Sequence, residues 1–316
     1  MMLTLLKKLL PFDLGGTSDP LDATGVDDAV EAADTASRSA MRALVENLHY
    51  EIVPMKSIDD AIEALPADCH VSVTCSPAKG IGPTLDYAEQ LIAAGHRPVP
   101  HLAARLVSDA GEAAEIAARV RASGIQEVFV IAGDAPEPVG AYEGSAAFLR
   151  DFLAADPGVT QVGIAGYPDG HALIDDDVLT RQLHAKQALL AEFGVGGWIS
   201  TQMCFDPNTI RAWIGRERTA GITLPIRLGV PGVVDRARLM TMGTRLGIGA
   251  SMRFLAKNRS TVMHLMAPGG FDPTDLVVAF ADDAERLGID ALHSFTFNAV
   301  ADTRVWQEAI VAGAET

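Results

Sequence analysis

A chain of 316 residues, 48% of them hydrophobic, is long enough to bury roughly three quarters of its unfolded surface in one large domain. Its formal net charge of −16 and pI near 4.8 repel phosphate backbones and argue against nucleic acid as a partner. Three cysteines without CxxC spacing (Cys69, Cys75, Cys204) argue against a disulfide framework and suit a reducing cytoplasm.

Residues 1–45 read as an N-terminal extension. The opening MMLTLLKKLLPFDLGG resembles a signal peptide only superficially, because Pro11 and Asp13 cut the apolar stretch and no small-residue cleavage site follows. It predicts a short amphipathic helix docked on the body or on a partner subunit, in keeping with a homo-oligomer. A polar stretch at 13–27 precedes an Ala-rich helical segment from about Asp28 to Asn47.

From 46 to 316 an alternation sets in. Short β-branched runs recur near 49–53, 70–75, 98–102, 127–132, 160–166, 197–202, 225–230 and 290–297. Between them lie helical patterns: SIDDAIEAL, TLDYAEQLIAAG, DAGEAAEIAARVRASG, SAAFLRDFLAA, DVLTRQLHAKQALLAEFG, NTIRAWIGRERTAG, a long stretch from Asp235, and DPTDLVVAFADDAERLG. Eight strands alternating with eight helices predict an α/β chain folded as a closed (β/α)8 TIM barrel over 46–316, with an open doubly wound sheet as the alternative. GIGASMRFLAKN predicts an extra helix in the long connection after the seventh strand. No segment has the ~18 uninterrupted apolar residues that cross a bilayer, so no membrane association is expected.

The common cofactor and metal signatures are missing. No GxGxxG follows a strand, no GxxxxGK[ST] is present, and no HExxH or paired CxxC indicates a metal. Asp175, Asp176 and Asp177 sit where acidic side chains favour a helix N-terminus. What remains is a set of polar residues ending successive apolar runs: Glu51, Thr74, His101, Asp134, Tyr167 and Gln202. Polar groups at the C-terminal ends of barrel strands are how this fold builds an active site. Two carboxylates, an imidazole, a phenol, an amide and a hydroxyl form a rim able to protonate, orient and stabilise a cation.

These segments resemble, in order, the motifs of the methylenetetrahydrofolate reductase family. YEIVP is similar to its FEFFPP strand, HVSVTCSPAKG to VSVTYGA, PHLAARL to PHLTC, and VIAGDAP to LRGDLP. AGYPDGH is similar to AYPEGHP, ISTQMCFD to ITQFFFD, and HSFTFN to FYTLN. The correspondence runs from about residue 47 to 310. It implies Glu51 and Asp134 as catalytic residues, and Gln202, Asp134 and Phe297 as substrate contacts. Thr74, His101, Ala132, Gly133, Tyr167 and His171 fall on the cofactor side.

The departures are specific. An arginine expected at Ala132 and a lysine expected near Ala188 to Ala191 are absent, with Lys186 offset from that place. The arginine after FYTLN becomes Ala299, with Arg304 nearby. Two lost cations weaken the hold on a pyrophosphate by about 3 kcal/mol, at roughly 1.5 kcal/mol per charge-assisted contact. The resemblance thus implies FAD that is weakly held or absent, and NADH or NADPH as electron donor.

The activity so implied is reduction of 5,10-methylenetetrahydrofolate to 5-methyltetrahydrofolate in the cytoplasm, in support of methionine biosynthesis. Ring opening to an N5 iminium needs a proton at N10, suited to Glu51, and a carboxylate beside the cation, suited to Asp134. A non-reductive folate-binding protein and a methyltransferase-like barrel stay open as alternatives.

Overall fold

The computed structural model describes residues 35–313, except 173, 236–237, 240 and 242–270. Eight parallel strands pair in chain order and β8 closes on β1. They are β1 His49–Ile52, β2 His70–Val73, β3 Arg97–Ala103, β4 Glu127–Ile131, β5 Gln161–Gly166, β6 Gly196–Thr201, β7 Ile226–Pro231 and β8 Ile289–Phe295. This is the expected (β/α)8 TIM barrel, with a strand at each of the eight expected places.

Helix α1, Thr35–Glu46, precedes the barrel, and α2 Ile58–Glu63, α3 Gly82–Ala93, α4 Ala110–Ala122 and α5 Ser145–Ala154 follow the first four strands. After β5 and β6 come α6, Asp176–Phe193, and α7, Pro207–Thr219. Local chemistry fixes their ends. Asp109 caps α4 by accepting from Gly111 N and Glu112 N at 2.8 and 3.1 Å. Asp206 caps α7 at Asn208 N, and Gly194 ends α6 with φ +67°, a conformation glycine adopts without strain.

Three elements differ from the sequence reading. DPTDLVVAFADDAERLG is two helices, α8 Thr274–Ala281 and α9 Ala284–Leu287. The break falls where Asp282 accepts from Ser37 Oγ at 2.6 Å and Asp283 pairs with Arg211 and Arg286 at 3.2 and 2.7 Å. Aspartate is a poor interior helix residue, and these side-chain bonds compete with helix continuation. A further helix, α10 Val300–Gly313, follows β8 and has no counterpart among the expected patterns. The third difference is β3, which runs two residues past His101 and carries that residue inside the barrel instead of leaving it at the strand end. The amphipathic opening segment and GIGASMRFLAKN lie outside the described residues, as does most of the stretch from Asp235.

The strands divide the interior into two compartments. Outward-facing Tyr50, Ile52, Val71, Val73, Leu102, Val128, Val130, Val162 and Ile164 are each fully buried against the helix ring. At about 1.5–3 kcal/mol per large apolar side chain, this layer is the main source of stability. Helix α1 joins it through Met41, Leu44 and Val45, and Gln307 Nε2 of α10 donates to Val45 O at 2.8 Å. Inside the barrel a separate plug forms from Val99, Phe129 and Trp198, flanked by Ile131 and Ala165. Gly163 makes room for it, since a Cβ there would come within 2.5 Å of both aromatic rings.

The plug separates two polar ends. Below it, at the strand starts, Arg227 lies 3.6 Å from the Trp198 ring centroid, a cation–π stack. Its Nη1 reaches Glu127 Oε2 on β4 at 3.3 Å and His49 Nδ1 on β1 at 3.4 Å, and such contacts between distant strands only cross the interior. His70 stacks on His49 at 4.1 Å. The other polar end, at the strand C-termini, holds the residues singled out in the sequence.

Candidate active site at the barrel mouth

Glu51 is the third residue of β1 and faces inward, 7% exposed. Its Oε2 lies 3.1 Å from His293 Nε2 on β8 and 3.7 Å from His101 Nε2 on β3. Its backbone carbonyl accepts from the Thr296 hydroxyl. Oε1 has no protein partner among the described residues. The register explains the cluster: β1 pairs with β8 as His49 with His293 and Glu51 with Phe295, so His293 stands one layer below Glu51 on the next strand. Burial pushes the His101 imidazole down to about 4, with Glu51 opposing, so this ring is neutral near pH 7. His101 packs on Phe129 at 4.8 Å between centroids.

The turn after β8 ties the first and last strands together. Asn298 Oδ1 accepts from Val53 N at 2.7 Å, and Asn298 Nδ2 donates to Val53 O at 3.0 Å and to Ser57 Oγ at 3.2 Å. Phe297 and Asn298 both take positive φ, +49° and +68°, which costs an L-residue energy and is held here by the double amide clamp. Phe297 is 4% exposed and belongs to the large apolar cluster, beside the turn that Asn298 holds.

A second group forms across the mouth, between β4 and β5. Ala132 follows β4 and its carbonyl accepts from Arg105 N at 2.9 Å. Gly133 has φ +89°, and a Cβ there would stand 2.9 Å from Ala103 Cβ, so only glycine fits. Asp134 is exposed. Its charge acts on two neighbours: burial and then Asp134 push the Tyr167 phenol up to about 12, and Asp134 opposes the burial that lowers His171. Tyr167 and His171 meet edge to face, centroids 5.4 Å apart.

Two further residues stand at the ends of β2 and β6. Thr74 donates its N–H to Ile52 O at 3.0 Å, and its carbonyl accepts from Thr84 Oγ1 at 3.0 Å. Gln202 donates N–H to Gly166 O, and its Oε1 accepts from Met203 N at 2.8 Å. Its Nε2 keeps its donors unspent among the described residues.

These residues lie at one end of the barrel, in two groups with Gln202 and Thr74 beside them. A cavity of about 110 Å³ lies to the side, between Tyr167 and helix α7 at Trp213, Arg216 and Glu217. It touches neither Glu51 nor Gln202 and is not the place for a bicyclic ligand. Among the described residues no group of three His, Cys, Asp or Glu could hold a metal ion. No described helix is long and apolar enough to cross a membrane.

Four described positions bear on the cations expected to face a flavin pyrophosphate. Ala132 has none. Lys186 is 4% exposed on the inner face of α6 beside Leu183 and Leu190, where burial pushes it down to about 8. Arg105 spends its guanidinium on the carbonyls of Ala135, Glu143 and Pro136. Arg304 pairs with Glu308 at 2.7 Å. Among the described residues, none of these four positions offers a free cation to the pyrophosphate of a flavin dinucleotide.

His293 is the partner that sequence reading missed. The signal was available: in LHSFTFN, His293 shares the period-two inward face with Phe295.

A parallel barrel with ionisable groups gathered at the C-terminal ends of its strands defines the class, a (β/α)8 barrel with an enzyme-type mouth. The sequence pattern of the family "Methylenetetrahydrofolate reductase" matches residues 62–245, more than half of the chain. The chain belongs to the methylenetetrahydrofolate reductase family. The matched part includes Thr74, His101, Asp134, Tyr167, His171 and Gln202, whereas Glu51 and Phe297 lie outside it.

"Methylenetetrahydrofolate reductase 1" of Schizosaccharomyces pombe is 29% identical over 145 residues, 43% of this chain and 22% of that protein. "Methylenetetrahydrofolate reductase 2" of Saccharomyces cerevisiae is 30% identical over 120 residues, 35% of this chain and 19% of that protein. The match thus spans about a fifth of the length of these relatives. A solved structure from Clostridium thermocellum, described as binding two copies of 5-methyl-5,6,7,8-tetrahydrofolic acid, has a TM-score of 0.53. It is 14% identical, with 84% of this chain and 93% of that chain covered, a likeness of fold.

Proposed function

We propose that the chain reduces 5,10-methylenetetrahydrofolate to 5-methyltetrahydrofolate in the cytoplasm, with NADH or NADPH as electron donor. The observation that carries this reading is the Glu51 carboxyl group, held at the mouth by His293 with one oxygen unpartnered among the described residues. Family membership supports it, and a barrel of the same fold that binds a reduced folate is consistent with it.

In this mechanism Glu51 gives its proton to N10 as the N10–methylene bond breaks, and the bonding pair stays on N10. The N5 iminium so formed is cationic, and the Asp134 carboxylate stabilises it through space. The nicotinamide supplies the hydride to the methylene carbon. The Gln202 amide, with free Nε2 donors, reads a carbonyl edge of the pterin. Thr74, His101, Gly133, Tyr167 and His171 would shape the face against which a bound nicotinamide packs.

The test is oxidation of NADH, and separately NADPH, by purified protein with and without methylenetetrahydrofolate, together with a visible spectrum. Folate-dependent oxidation without a stoichiometric flavin band is expected. Tight folate binding with no oxidation of either nicotinamide would contradict the reading.

A further inference from the structure

We propose that His293 is a positioning residue for Glu51: its Nε2–H holds Oε2, so that the carboxyl proton sits on Oε1 and faces the substrate. The proposal rests on the proton-donor reading of Glu51 and goes beyond it by assigning the group that aims the acid.

The geometry separates the two carboxyl oxygens. His293 Nε2 and His101 Nε2 both approach Oε2, at 3.1 and 3.7 Å, and none of the described residues approaches Oε1. The closer imidazole is within hydrogen-bond range and the other is not. His101 Nε2 is buried without a partner, so it does not compete for the oxygen.

The His293 ring is itself held. It is 3% exposed, with Phe295 edge-on at 5.0 Å, and with Phe129 and His101 at 6.3 and 6.5 Å. The groups facing the pair are therefore His101 from β3, Phe129 from β4 and Phe295 from β8, with His49 of β1 below. An imidazole that donates from Nε2 keeps its second nitrogen unprotonated. A neutral carboxyl group accepting at Oε2 then carries its proton on Oε1.

In the reaction the Oε1–H bond breaks, the N10–H bond forms, and the resulting carboxylate keeps the His293 N–H bond at Oε2. A charge-assisted bond of this kind is about twice as strong as a neutral one, so the contact tightens as the proton leaves. That differential is what accelerates a step.

The experiment uses four variants and a spectrum. His293→Phe keeps a ring of similar size and removes the donor, while His293→Gln restores an N–H on a shorter arm. For His293→Phe, kcat is expected to fall about 100-fold, the cost of a misplaced acid, with KM for the folate within threefold. His293→Gln should recover part of the loss, and Glu51→Gln/His293→Phe should be no slower than Glu51→Gln alone. Multiplicative losses, or kcat within twofold of wild type in His293→Phe, would overturn the proposal.

Nitrogen NMR of the histidine side chains gives an answer independent of turnover. The expected signal is an Nε2–H tautomer for His293 that changes in Glu51→Gln. An Nδ1–H tautomer facing Glu51 would overturn the proposal even if the wild-type protein proved inactive. Wild-type inactivity with the Nε2–H tautomer present would count against the reductase reading alone.

Discussion

The two ends of this barrel are both polar and both rich in histidine, yet they use those side chains differently. At the floor, Arg227 sits among Glu127, His49 and the Trp198 ring, and His70 lies 3.8 Å from Glu127. Charge there is mostly spent across the interior, although Arg227 Nε and His70 Nδ1 keep no hydrogen-bond partner among the described residues. At the mouth, among the described residues, Glu51 has one oxygen without a partner, Asp134 is exposed, and Gln202 keeps its donors. A polar group satisfied inside the fold adds specificity and stability, and one left open is available to a ligand. Placement along the strands, not residue type, tells these apart.

The largest expected effect sharpens this contrast at the mouth. Glu51→Gln keeps the shape and removes the acid, and turnover should fall about 1000-fold, within the range for loss of a positioned general acid. Folding, followed by circular dichroism, should be unchanged within about 1 kcal/mol. The opposite pattern is expected at the plug between the two ends. Trp198→Ala opens the interior beneath the mouth and removes the platform of Arg227, costing about 3–5 kcal/mol in denaturant unfolding.

A smaller effect comes from pH. Burial holds His49 well below its ordinary value, and Arg227, His70, His293 and Arg97 push the same way. Burial also lowers His70, with Glu127 and Asp68 opposing and Arg97 and Arg227 adding to it. The unfolded chain therefore binds more protons than the folded one. The stability these rings contribute is present above pH 6.5 and is lost as pH falls toward 4, at about 1.4 kcal/mol per unit of displacement. Thermal melts at pH 7.5, 6 and 4.5 should show this decline, and His70→Gln should flatten it. A melting temperature that rises toward pH 4.5 would remove the floor from the account.

Much of the fold was legible because each strand is a β-branched run ended by a polar or glycine-rich turn. The rim was legible for the same reason: Thr74, Tyr167 and Gln202 directly follow the last strand residue. Depth was harder to read. His101 looked like a strand end, but β3 continues to Ala103, and nothing in PHLAARL marks the extra pair. His293 and Arg227 gain meaning from carboxylates a hundred or more residues away in the chain. Helix α10 carried a readable signal, Val300, Thr303, Trp306 and Ile310 at helical spacing. The break at Asp282 and Asp283 was hidden because its cause, Ser37 and Arg211, lies on other helices.

The most direct test of the mouth as the folate site is equilibrium titration of 5-methyltetrahydrofolate into wild type, Gln202→Ala and His70→Gln. The mouth variant should weaken binding at least tenfold, as expected for about 1.4 kcal/mol or more from lost amide contacts, and the floor variant should bind like wild type. Equal affinity in Gln202→Ala with weakened binding in His70→Gln would put the ligand at the wrong end of the barrel and contradict the account.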